Sequence, residues 1–194
     1  MSKDIVLLIN RSEITAGTRG ASLGPDAIFT AARKNQKSFF VKYPIEEIKD
    51  VNYLLDSPTE HKFAKRIDGL LGVYNALNDK VSTLLLNNKF PLVLAADHGS
   101  AGGTIAGIKS AFPTKKIGIV WIDAHADIHT PYTTPSGNIH GMPLATVLNE
   151  DNLPCKLNDL SEETIQYWEK LKHVGGISPK ATAEDVVYIA VRDT

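Results

Sequence analysis

Five short apolar runs limit what this chain can fold into. Ile5-Val6-Leu7-Leu8-Ile9, Pro91-Leu92-Val93-Leu94-Ala95-Ala96, Ile117-Gly118-Ile119-Val120-Trp121-Ile122 and Val186-Val187-Tyr188-Ile189-Ala190-Val191 are apolar at nearly every position, and Phe39-Phe40-Val41 is a shorter run. A strand with one wet face alternates apolar and polar residues. A run apolar throughout fits a parallel strand with helices over both faces.

Helical patterns fill the intervals. Gly24-Pro25-Asp26 opens a helix to about Arg33, with proline early and an acid in the first turn. From about Glu60 to Leu86, Leu70, Leu71, Tyr74, Leu77, Val81 and Leu85 recur at helical spacing. Gly103 to Ala111 forms a third helix, and Ser161-Glu162-Glu163-Thr164 begins another. Strands alternating with helices predict a doubly wound, mostly parallel α/β sheet, and 194 residues without repeats or linkers fit one domain, 1–194. The chain stops just after a predicted strand, so it is read as lacking a C-terminal portion.

Composition narrows the function classes. Lys and Arg number 21 against 22 Asp and Glu, with no basic run, which argues against nucleic-acid binding. No stretch nears the roughly 20 apolar residues of a membrane span. A poor leader and a single cysteine, Cys155, make a cytoplasmic protein the expectation.

Two predicted strands end in potential metal ligands, at the sheet end where ligands of open α/β folds gather. One is followed by Asp97-His98, the other by Asp123-Ala124-His125-Ala126-Asp127, and four of the six histidines lie between 98 and 140. Residues two apart in a straight strand stand about 6.5 Å apart, whereas paired catalytic metals sit about 3.5–4 Å from each other. The segment must therefore curl after Ile122, and the small alanines leave room for that. Mixed carboxylate and imidazole donors suit Mn, Fe, Co or Zn, with a lean towards Mn.

The segment from Ile119 to Pro131, centred on Asp123-Ala124-His125-Ala126-Asp127, resembles the central motif of the arginase (ureohydrolase) family. It continues into Thr133-Thr134-Pro135-Ser136-Gly137-Asn138-Ile139-His140-Gly141-Met142-Pro143, which is closer to arginases than to other branches. Ala96-Asp97-His98 resembles the family's Gly-Gly-Asp-His, with alanines replacing the glycines. Arg19-Gly20, Gly24-Pro25 and the strand from Tyr188 to Asp193 also match.

The resemblance implies a three-layer sandwich and a binuclear manganese hydrolase of guanidino C–N bonds, turning L-arginine into L-ornithine and urea through a metal-bridging hydroxide. His98, Asp123 and Asp127 would hold one Mn²⁺, and His125 and Asp123 the other. His140 would shuttle protons and, with Asp127, count as catalytic. Ser136, Asn138, His129 and Asp193 would contact the substrate. Family members commonly form trimers or hexamers, so a homo-oligomer is expected. His129 stands where arginases usually carry Asn, and the family's later Asp-x-Asp motif is absent after Asp127. Agmatinase or formiminoglutamase activity, or a non-catalytic metal-binding fragment, are the alternatives.

Other features carry no such expectation. Gly99-Ser100-Ala101-Gly102-Gly103 fits no nucleotide-binding pattern. His61 and His173 are expected in solvent, Cys155 packed, and Tyr167 and Trp168 facing a core.

Overall fold

The computed structural model describes residues 4–35 and 38–192. In chain order its main elements are β1 (Asp4–Asn10), α1 (Gly24–Lys34), β2 (Ile45–Ile48), α2 (Ile67–Leu86) and β3 (Lys89–Ala95). They are followed by α3 (Ala101–Ala111), β4 (Ile119–Ile122), α4 (Pro143–Leu148), α5 (Glu162–Lys172) and β5 (Val186–Ile189).

Every strand pairing is parallel. β1 lies between β2 and β3, with Leu7 opposite Ile45 and Leu92. β4 pairs with β5, Ile119 opposite Val186. In β1, Val6, Leu7, Leu8 and Ile9 are each at most 3% exposed. Successive side chains point to opposite faces, so both faces of this strand are covered. β4 and β5 differ from that expectation: Val120, Ile122 and Val187 are exposed, leaving bare one face of strands composed for burial on two. Among the described residues β3 and β4 share no ladder, and a crevice lined by Val93, Ala95, Ile119 and Trp121 separates them.

Two predicted elements moved. Phe39-Phe40-Val41 is not a strand. Phe40 meets the rings of Phe29 and Phe39 edge-on, at 5.3 and 5.2 Å between centroids, and Phe40–Lys42 forms a 3-10 turn. The strand is instead Ile45-Glu46-Glu47-Ile48 at the sheet edge, where Glu46 and Glu47 reach Lys80 and Arg11. The second helix starts at Ile67 rather than near Glu60, because backbone amides before it bond elsewhere. Lys65 N–H donates to the Gly137 carbonyl (2.8 Å) and Arg66 N–H to Thr59 Oγ1 (3.2 Å).

The main core gathers Leu8, Ile14, Leu70, Tyr74, Leu77 and Trp168 around α2. His61 belongs to this interior, 5% exposed, with Nδ1 2.9 Å from Thr164 Oγ1; the expectation of a solvated side chain fails because α5 brings Thr164 and Tyr167 over it. His173 is exposed, and Trp168 is fully buried.

Glycines set the spacing of α3 against α2. A Cβ on Gly103 would meet the Tyr74 Cα at 2.8 Å, and one on Gly107 would meet Val81 Cβ at 2.7 Å. On Gly72, along the exposed side of α2, a Cβ would meet nothing. In urea unfolding, Gly103→Ala is therefore expected to lose about 1–3 kcal/mol by overpacking. Gly72→Ala should gain about 0.5–1 kcal/mol from helix propensity. Equal effects at the two positions would mean that close packing does not set the spacing.

Candidate metal centre

The strand order β2-β1-β3 means that the chain leaves β1 in one direction and returns on its other side. Loops leaving the carboxyl ends of β1 and β3 therefore diverge and leave a crevice, the usual ligand position in open α/β sheets. Thr15, beyond β1, meets Asp97, beyond β3: the Thr15 N–H donates to Asp97 Oδ2 (3.2 Å) and its hydroxyl to Oδ1. Asp97 also caps the next turn by accepting from Gly99 N–H at 3.1 Å. Burial pushes the Asp97 carboxyl up, while its bonds from Thr15 oppose that shift. Tyr74 anchors the turn from below, donating to the Gly99 carbonyl at 2.8 Å.

His98 projects from this turn towards the segment after β4. There the chain stays tied to β5, with Asp123 N–H donating to the Ile189 carbonyl (3.2 Å) and Arg192 N–H to the Ala124 carbonyl (3.0 Å). It then turns sharply, and Asp127 adopts a left-handed backbone (φ 49°) rare for a residue with a side chain. The expected curl is thus present.

His98, Asp123 and Asp127 offer donor atoms that all lie within 4.8 Å of one another. His98 Nε2 is 3.3 Å from Asp127 Oδ2, and Asp127 is buried. His125 stands outside this trio on an exposed side chain, its Nδ1 3.5 Å from Asp123 Oδ1. Asp127 raises the His98 pKa, with further attraction from Asp123 and Asp97 outweighing burial. Partial burial pushes Asp123 up, but the amides of His125 and Ala124 and both imidazoles bring it below its ordinary value. One imidazole and two carboxylates converging this closely fit a hard or borderline divalent cation.

A cavity of about 460 Å³ opens beside the trio, lined by His125, Asp127, His129, Ser136, Asn138 and His140. His140 Nδ1 lies 3.2 Å from the Thr15 carbonyl, an acceptor, so Nδ1 carries the proton and Nε2 is left free. Its ring stands edge-on to His98, 5.8 Å between centroids. His129 Nδ1 contacts Thr133 Oγ1 at 3.1 Å. Ser136 Oγ accepts from the Asn138 N–H at 3.2 Å, leaving its own proton available. Gly137 between them has φ +77°, and a side chain there would run into the Lys62 carbonyl. Asp193 lies outside the described residues.

Residues 3–194 match the sequence profile of the Arginase family. The chain belongs to the arginase family. It is 36% identical to the arginase of Brevibacillus brevis over 197 residues, covering all of this chain and 59% of that protein. The arginase of Bacillus subtilis (strain 168) is 32% identical over 192 residues, covering 99% and 58%. The fold superposes on the crystal structure of a Bacillus subtilis arginase with a TM-score of 0.73 at 32% identity, covering 98% of this chain and 57% of that one. Bacillus caldovelox arginase gives 0.73 at 29% identity, covering 98% and 58%. The chain thus spans somewhat under three fifths of these relatives' length.

Sequence reading missed three contributors. From the sequence Trp121 reads only as part of a buried strand, yet its Nε1 donates to Asp127 Oδ2 at 3.1 Å. Its place six residues before Asp127 carries no periodicity that signals this. Asn152 and Cys155 line the cavity from a distant segment. Cys155 is exposed, not packed, because its 3-10 turn (Leu153–Cys155) lies along the cavity wall.

Trp121 can therefore be tested without touching a ligand. Trp121→Phe is expected to weaken Mn²⁺ binding by about tenfold in calorimetry on the full-length protein, as losing an orienting partner does. Unchanged affinity would remove Trp121 from the site. His98 must shed its proton to ligate and its pKa is raised, so as pH is lowered the affinity should begin to fall before the ordinary imidazole value of 6.5 is reached.

Proposed function

We propose that this chain is the front part of a single-domain, manganese-dependent ureohydrolase that converts L-arginine to L-ornithine and urea. The convergence of His98, Asp123 and Asp127 within 4.8 Å beside the cavity carries this reading. Family membership and relatives named arginase support it.

In this reading His98, Asp123 and Asp127 would hold one Mn²⁺, and His125 with Asp123 would serve a second. Bound divalent cations would supply Lewis acidity that lowers the pKa of water to about 7, giving a nucleophile at neutral pH. The chain's own residues do the rest. His140, held through Nδ1 by the Thr15 carbonyl, keeps Nε2 free to take a proton or pass one to the departing amine. The Ser136 hydroxyl and Asn138 amide offer donors to the substrate's α-carboxylate, and His129 supplies a third polar group at that end.

As they stand, the residues offer three protein ligands to one cation and two to the other. The later Asp-x-Asp strand of the family supplies the missing carboxylates in this proposal. The crevice between β3 and β4, about 380 Å³, is lined by His98 and by Ile119, Val120 and Trp121 of β4, so a further strand seated there would deliver its side chains to the same sheet end. It would also pair with the edges that β3 and β4 turn towards the crevice. We infer a cytoplasmic homo-oligomer, a trimer or hexamer, from the family's habit and the lone Cys155. Among the described residues no helix is long and apolar enough to cross a membrane.

The full-length gene product, loaded with Mn²⁺ and given arginine, is expected to release urea. Turnover of agmatine, or formamide release from formiminoglutamate, without urea from arginine would overturn the substrate assignment. No hydrolysis of any of the three would overturn the enzymatic reading.

A further inference from the structure

The loop from Ile128 to Asn138 carries His129, Ser136 and Asn138 yet contains no helix or strand. Its backbone carbonyls must find partners outside a regular ladder. They find them on a second segment, residues 150–158, which is itself without regular structure apart from one short turn.

Asn158 makes the densest of these connections. Its Nδ2 donates to the Pro131 carbonyl at 3.0 Å and to the Thr134 carbonyl at 2.8 Å. Its backbone N–H and that of Leu157 both donate to the Tyr132 carbonyl, at 2.9 and 2.8 Å. Nearby, Asn152 Nδ2 donates to the Ile128 carbonyl (2.8 Å), and Thr130 Oγ1 donates to the Asp151 carbonyl (2.8 Å). Both protons of the Asn158 amide are thus committed to carbonyls just before Ser136.

The gripping segment is fixed in turn. Asp151 Oδ1 accepts from Trp168 Nε1 at 2.8 Å and from Lys172 Nζ at 2.7 Å, both on α5. Trp168 is fully buried in the main core, and Lys172 is 3% exposed, its charge also met by Glu169 at 2.7 Å. Asn152 and Cys155 of this segment line the cavity, whereas Asn158 does not.

We propose that Asn158 is a positioning residue for recognition of the substrate's carboxylate end. It acts through the loop, holding the carbonyls of Pro131 and Thr134 so that His129, Ser136 and Asn138 face the cavity in one arrangement. The inference rests on the arginine reading above for its substrate and on the hydrogen bonds alone for its mechanism. A loop loosened at this end should bind substrate less well while leaving the metal ligands in place, because those hang from the ends of β3 and β4.

Asn158→Asp is the sharpest test, since the carboxylate fills the same space but cannot donate. In the full-length, Mn²⁺-loaded protein, KM for arginine should rise about tenfold, with kcat within about twofold and metal content unchanged. Amide hydrogen exchange across residues 129–138 should quicken about tenfold. Asn158→Gln, which keeps both donors, should recover part of the KM. Thr130→Val, which removes the hydroxyl's bonds with the Asp151 carbonyl and the Tyr132 N–H away from the cavity wall, should shift KM the same way by about threefold, and it serves if Asn158→Asp does not fold. A loss confined to kcat, a loss of metal, or unchanged exchange would overturn the inference. If the parent protein releases no urea from arginine, the functional reading fails and exchange alone decides this one: quickening supports it and unchanged protection overturns it.

Discussion

The joint between Thr15 and Asp97 holds together the parts from which the site is built. Neither residue is a predicted metal ligand, yet each stands next to something that matters. Asp97 immediately precedes His98, and the Thr15 carbonyl fixes the tautomer of His140. A carboxylate 8% exposed is expensive to bury without partners. The amides and hydroxyl that meet it pin the loop beyond β1 against the turn beyond β3. Two histidines more than 40 residues apart in the chain thus share one geometry, set by a side chain that has no chemistry of its own to perform.

Support for that joint comes from beneath. Tyr74 rises from α2 to the Gly99 carbonyl, and this reach depends on how closely α3 sits against α2. The Gly102 position illustrates the tolerance: a methyl group there would collide with the Tyr74 hydroxyl. Small residues in α3 act at a distance on the turn that carries His98, through packing rather than charge.

Much of this was legible in the residues themselves. The unbroken apolar run of β1 and the helical period of α2 announced a covered parallel strand and a core helix, and both are present. The Asp-Ala-His-Ala-Asp spacing announced a curl, and Asp127 makes it with a left-handed backbone. What escaped reading were interactions without a period. β2 was hidden because Glu46 and Glu47 break its apolar pattern to pair with basic residues at an edge. The polar stretch before Ile67 looked helical, but its amides are spent on Gly137 and Thr59. Trp121, Asn152 and Asn158 reach the site only through tertiary contacts, so nothing local marks them. Burial of His61 likewise depends on a helix a hundred residues away.

Gly137 bears on how such a site can change over generations. Its left-handed backbone and its contact with the Lys62 carbonyl close the position to every side chain, whatever substrate the cavity takes. Drift at this end must therefore fall on either side of a fixed point, at Ser136, Asn138 or across the cavity at His129. A rigid glycine turns a flexible-looking loop into a mount with a few exchangeable fittings.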